Sequence, residues 1–165
     1  MHARRLAVRA VHAALASSLV ALAGCPSGGE RAGVQGPPAG TGTGPLANLE
    51  ASPFMNEVWM TEQGQQTPML FYGRENVRLS AQCRMGDGQL ACEAIRFMRN
   101  GMPVEIARRS LDGRTSAGVK VCQRMNLPII TLRNSVGAED SMCRFPDGSL
   151  VSTGALEQYS MRVMQ

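Results

Sequence analysis

The chain has 165 residues, of which 18% are charged and 4% aromatic, with 18 Gly, 9 Pro and 11 Met. That length bounds it at one domain or two small ones, and the charged fraction is low for a soluble globular chain. No run of 18 apolar residues occurs, which excludes a membrane-spanning helix by composition.

Residues 1–24 read as an export signal. Arg4, Arg5 and Arg9 make a positive start without acids, and residues 13–23 follow as an apolar run rich in Ala and Leu. As helix, that run covers about 16 Å of a roughly 30 Å hydrocarbon core, so it suits a signal rather than a span. The run closes on Leu22-Ala23-Gly24-Cys25, which resembles the lipobox of bacterial lipoproteins. The resemblance implies a diacylglyceryl group on the Cys25 thiol, cleavage before Cys25, and acylation of the new amino terminus by palmitate or a similar chain. Two or three acyl chains give the anchoring that a single chain does not. Arg4-Arg5 lacks the surroundings of a twin-arginine signal. Pro26 stands where an Asp is associated with inner-membrane retention, so the expected site is the outer membrane, facing the periplasm.

Removing residues 1–24 changes the composition. Lys plus Arg falls from 17 to 14 against 13 acids, so the net charge drops from +4 to +1, and basicity no longer argues for nucleic acid. His2 and His12, the two histidines, leave with the signal, which excludes His-based nucleophile pairs, general bases and metal ligands.

Residues 25–50 read as the lipidated Cys25 and a tether dominated by Gly, Pro, Ala, Thr and Ser, with a coil reach of roughly 25–30 Å. Two folded parts follow, 51–112 and 113–165. Ser52-Pro53 suits a helix start, with Phe54, Met55, Val58 and Trp59 on one face, although a strand over 55–61 fits nearly as well. Residues 69–72 read as a short strand.

From Val77 to Met85 apolar and polar residues alternate, the period of a half-buried strand, and Asp87-Gly88 is a hairpin signal. Centring the hairpin there sets Cys83 opposite Cys92 at a non-hydrogen-bonded pair, where side chains approach most closely. A second turn at Asn100-Gly101 then pairs Phe97 with Val104, Ile95 with Ile106 and Arg96 with Glu105, with a bulge near Glu93-Ala94. The reading is a three-stranded antiparallel meander whose last strand, 102–108, is an edge at Pro103.

In the last part, Thr115 or Ser116 caps a helix running to about Asn126, with Val119, Cys122 and Met125 on one face. Strands are expected over 129–133 and 141–145. Phe145-Pro146-Asp147-Gly148-Ser149 is a turn, and Thr153 caps a final helix carrying Leu156, Tyr159 and Val163 inward. Cys122, a β-rich stretch, the Cys143-Arg-Phe-Pro-Asp-Gly-Ser149 segment and a short helix together resemble domain-of-unknown-function family 333, over residues 117–160. That resemblance implies a small bacterial envelope protein, often lipid-anchored and often hemolysin-labelled, and carries no catalytic residues. Met125-Asn126 stands where the family tends to have Gly-Gly, and no Trp or further Cys follows the turn.

Setting Cys25 aside leaves Cys83, Cys92, Cys122 and Cys143, an even number in an exported chain, which favours disulfides. The hairpin register selects Cys83–Cys92 and leaves Cys122–Cys143. Zinc by four Cys lacks its usual knuckle, since eight and twenty residues intervene, and a redox C-x-x-C is absent.

Other chemistry is weaker. Lys120 could serve a Ser–Lys dyad but reads as a solvated lysine. Glu139-Asp140 lacks a partner carboxylate at a recognisable spacing, and Met161 and Met164 read as packing rather than copper ligands.

The expectation is an α+β fold, a small antiparallel β-meander plus a helix–hairpin–helix unit, stapled by two disulfides. The expected function is non-enzymatic binding or structural work at the envelope, with no cofactor, catalytic residue or metal ligand. The expected partners are the membrane, through Cys25, and an envelope protein at edge strand 102–108, with no nucleic acid. The alternatives are a membrane-active protein, as the hemolysin label has it, and a periplasmic metal-binding protein or hydrolase.

Overall fold

The computed structural model describes residues 44–165; the export signal, Cys25 and residues 26–43 lie outside the described residues. The fold is α+β with two disulfides. The end of the segment read as tether belongs to it. Leu46 and Leu49 are core residues, and the Arg99 guanidinium grips both Glu50 oxygens at 2.7 Å.

The strands are β1 (Met55–Met60), β2 (Gln66–Tyr72), β3 (Val77–Ser80), β4 (Val104–Ala107), β5 (Ile129–Asn134), β6 (Glu139–Arg144), β7 (Leu150–Ser152) and β8 (Met161–Met164). The helices are α1 (Glu93–Asn100), α2 (Ala117–Arg124) and α3 (Thr153–Tyr159). Six strands close a barrel in the order β1-β2-β3-β7-β6-β5, every pair antiparallel, and β4 and β8 form a separate parallel ribbon. The meander expected over residues 77–108 is therefore replaced by a closed barrel, which takes three strands from each side of residue 112.

The largest departure is at α1. Residues 89–99 were expected as the middle strand, with a bulge at Glu93-Ala94 and the Phe97–Val104, Ile95–Ile106 and Arg96–Glu105 pairs. Instead Ala94, Ile95 and Met98 are buried at helical spacing, and Gly101 N–H closes the last turn on Phe97 O. The N-terminus of α1 explains the choice. Asp147 Oδ2 accepts from Glu93 N–H at 2.7 Å and Ser149 Oγ accepts from Ala94 N–H at 3.2 Å, so orphan helix donors are met from 54 and 55 residues away.

Period two assigns the barrel residues to two cores. By register, Trp59, Met69, Leu132, Met142 and Leu150 point inward and fill the barrel. Leu70, Tyr72, Val77, Leu79, Cys143 and Val151 point outward, against Ile95, Met98, Val121, Ala155 and Leu156 of the helices. Adjacent Met69 and Leu70 are both buried because each serves a different core.

The two halves of the chain repeat a device 60 residues apart. Cys83-Arg84-x-x-Asp87-Gly88-x-Leu90 recurs as Cys143-Arg144-x-x-Asp147-Gly148-x-Leu150. Gly88 and Gly148 take φ of 85° and 80° and donate to Met85 O and Phe145 O, each at 2.9 Å. Asp87 and Asp147 each accept from the N–H two residues on, again at 2.9 Å. Arg84 faces Leu90 as Arg144 faces Leu150. Each turn leads into a helix and then a strand, and those strands, β4 and β8, pair with each other.

Candidate functional site

One charged cluster sits on the inner face of the barrel. The β1–β2, β2–β3 and β5–β6 registers place Glu57, Arg78 and Asp140 on the side of the sheet that carries Trp59 and Met69. Arg78 Nε donates to Glu57 Oε2 at 2.7 Å, and Nη1 donates to Asp140 Oδ2 at 2.5 Å. Trp59 Nε1 donates to the same Glu57 oxygen at 2.7 Å. The guanidinium lies 4.5 Å from the Phe71 ring centroid and 4.8 Å from that of Trp59, within cation–π range. Side-chain exposure is 18% for Arg78, 25% for Glu57 and 23% for Asp140, so water screens the cluster only in part.

The two carboxylates respond oppositely. Burial pushes Glu57 up, but its hydrogen bonds from Arg78 and Trp59 win and hold it below the usual range. Burial also pushes Asp140 up, Glu57 adds repulsion, and Arg78 does not offset them, so Asp140 stands above the usual range. Split carboxylate pKa values are a feature of acid–base sites. Here both acids share one guanidinium, Glu57 through Oε2 and Asp140 through Oδ2. The cluster cross-braces β1, β3 and β6. Residues 57, 78 and 140 carried no mutual sequence signal, because pairing across the closed barrel brings them together.

The residues singled out in the sequence are distributed as follows. Cys25 lies outside the described residues. Cys83 is bridged to Cys92, and Cys122 to Cys143. The first bridge joins the turn Ala81–Cys83 to the start of α1 rather than two strands, because the tight turn at residues 85–88 brings the chain back in either case. The second ties α2 to β6. Lys120 pairs with Asp112 at 2.9 Å and donates to Ser110 O. Glu139 pairs with Arg133, while its neighbour Asp140 belongs to the barrel cluster. Met161 and Met164 begin and end β8, which occupies one edge of β4 within the segment expected as an edge strand. No group of three or more His, Cys, Asp or Glu side chains among the described residues is placed to hold a metal ion.

At the end of the barrel away from Arg78, Thr61, Gln65, Ser80, Arg144 and Leu150 line an open cavity of about 320 Å³. Its walls mix amides, hydroxyls and one exposed cation with the apolar Pro68, Ile130 and Leu150, groups that suit a polar ligand. No protein-family model, curated protein or solved structure matches this chain.

Proposed function

We propose that this chain is a lipid-anchored protein of the bacterial envelope, held by acyl chains on Cys25, whose barrel does binding or structural work rather than catalysis. The observation that carries the reading is Leu22-Ala23-Gly24-Cys25, placed directly after a charged start and an eleven-residue apolar run, 13–23. Two buried disulfides fit an oxidising compartment. The barrel cluster supports a non-enzymatic role, since its carboxylates are engaged with Arg78 and Trp59. Pro26 after the anchor favours the outer membrane, with the barrel facing the periplasm.

The test is metabolic labelling with a palmitate analogue in a bacterial host, followed by membrane fractionation. Label should enter the wild-type chain and be lost in Cys25→Ser. A chain that fractionates as soluble, or label that survives Cys25→Ser, would sink the reading.

A further inference from the structure

Charge in the folded part is strongly polarised. The β4–β8 ribbon, the loop after β4 and helix α2 carry Arg108, Arg109, Arg114, Lys120, Arg124 and Arg162 against Glu105 and Asp112, a net of +4. The rest of the described residues hold seven cations and ten acids, a net of −3. Lys120 is engaged by Asp112. The five arginines are exposed and make no ion pair among the described residues. Arg109, Lys120 and Arg124 line a concavity of about 670 Å³ that also has Met164 on its wall. Met164, the end of β8, is 42% exposed beside these cations. Unpaired guanidinium groups bordered by an exposed apolar side chain are the composition of a membrane-interface surface, where the cations meet phosphates and the apolar group enters the headgroup boundary.

We infer that this face docks on the phospholipid leaflet that holds the Cys25 anchor, with the arginines of residues 108–124 and Arg162 binding lipid phosphates. The inference rests on the lipid-anchor reading, because the anchor supplies the leaflet. Residues 26–43 are eighteen in number, at most about 65 Å long when extended, so the domain cannot leave the neighbourhood of that surface. Each near-surface arginine adds about fivefold in affinity, which is weak in free solution but sufficient at the high effective concentration of a tethered domain. Docking would fix which way the barrel faces, with the acidic remainder of the domain turned toward the periplasm.

The experiment uses the chain from Pro26 onward, which lacks the anchor but keeps residues 44–165 with both disulfides. Co-sedimentation is measured with phosphatidylcholine vesicles and with vesicles that also contain phosphatidylglycerol, at low and high salt. Wild type should bind the anionic vesicles, release at high salt and ignore the zwitterionic ones. Arg108→Gln/Arg109→Gln/Arg124→Gln should weaken binding on the order of 100-fold. Arg74→Gln/Arg96→Gln/Arg144→Gln, which removes the same charge from exposed positions elsewhere, should bind as wild type does. Met164→Ser should weaken binding without changing its salt dependence. Equal loss in both arginine variants, equal binding to both vesicle types, or binding to soluble polyglutamate but not to vesicles would each overturn the inference. Failure of wild type to bind the anionic vesicles would overturn it too. None of these results depends on Cys25, so the lipid-anchor reading stands or falls separately by palmitate labelling.

Discussion

Two helix glycines should respond to alanine with opposite signs. A Cβ built on Gly118 in α2 would lie 1.8 Å from the carbonyl oxygen of Thr153, the first residue of α3, and 2.5 Å from its carbon. Ordinary contact begins at 3.4 Å, so the helices would have to part by about 1.6 Å. They are not free to do so. Cys122 ties α2 to β6, and Gly118 N–H donates to Glu157 of α3 at 3.2 Å. Overpacking against backbone sits at the upper end of its range, about 3 kcal/mol, and the helix propensity of alanine returns roughly 1 kcal/mol. Gly118→Ala should therefore lose about 2 kcal/mol, a Tm drop of roughly 8 °C for a domain of this size. Gly154 in α3 is exposed with nothing within 4 Å of its Cβ position, and Gly154→Ala should gain about 0.5–1 kcal/mol. Thermal unfolding by circular dichroism, disulfides intact, measures both. A Gly118→Ala protein that melts at or above wild type would refute the α2–α3 approach and with it the register of the last third of the fold.

Asp147→Ala and Ser149→Ala should each cost about 1–2 kcal/mol, because they uncap α1 as well as loosening their own turn; urea midpoints that do not move would show that α1 needs no distant cap. Opening Cys83–Cys92 and Cys122–Cys143 by paired Ser substitutions removes loops of sequence separation 9 and 21, worth roughly 2.7 and 3.4 kcal/mol, so the second should cost more in urea titration. Acid should destabilise the fold. In Glu50, Glu57 and Asp147, burial is outweighed by hydrogen bonds from Arg99, from Arg78 and Trp59, and from Ser149 with the Glu93 N–H. Their depressed pKa values add stability that is present above their ordinary values of 4.5 and 3.8 and lost as pH falls through the folded values. Asp140 works against them: raised chiefly by burial, its penalty is full at neutral pH and is relieved as pH falls through its folded value toward 3.8. Asp140→Asn should accordingly lose more stability than wild type between neutral pH and pH ~4, and a shallower loss in urea titrations would reverse the assigned sign.

By itself the sequence determined the features that need only local chemistry. The Asp87-Gly88 and Asp147-Gly148 turns follow from Asp bonding its own backbone and Gly accepting positive φ. Helix α2 follows from the Ser116 cap, which accepts from Val119 N–H at 3.4 Å, although its buried side is Gly118, Val121 and Cys122 rather than the expected face of Val119, Cys122 and Met125. The Cys83–Cys92 pairing holds although the strand register that selects it does not, since Arg84 faces Leu90 and α1 begins at Glu93, and Cys122–Cys143 follows by remainder. The 60-residue repeat was also legible, as Cys-Arg-x-x-Asp-Gly-x-Leu written twice, but a search for local periods passes over it.

Only the tertiary structure decided the rest. The strand expected over residues 89–99 gives way to α1, where Ala94, Ile95 and Met98 step at helical spacing and side-chain acceptors from a turn 54 and 55 residues away meet the first N–H groups. In β1 an inward Glu57 between Met55 and Trp59 blurs the alternation, because the charge it buries is neutralised by Arg78 of another strand. Barrel closure rests on Trp59↔Asn134 and Met60↔Arg133, a β1–β5 pairing. Period two tells a strand which face to bury; it carries no information about which strand lies alongside.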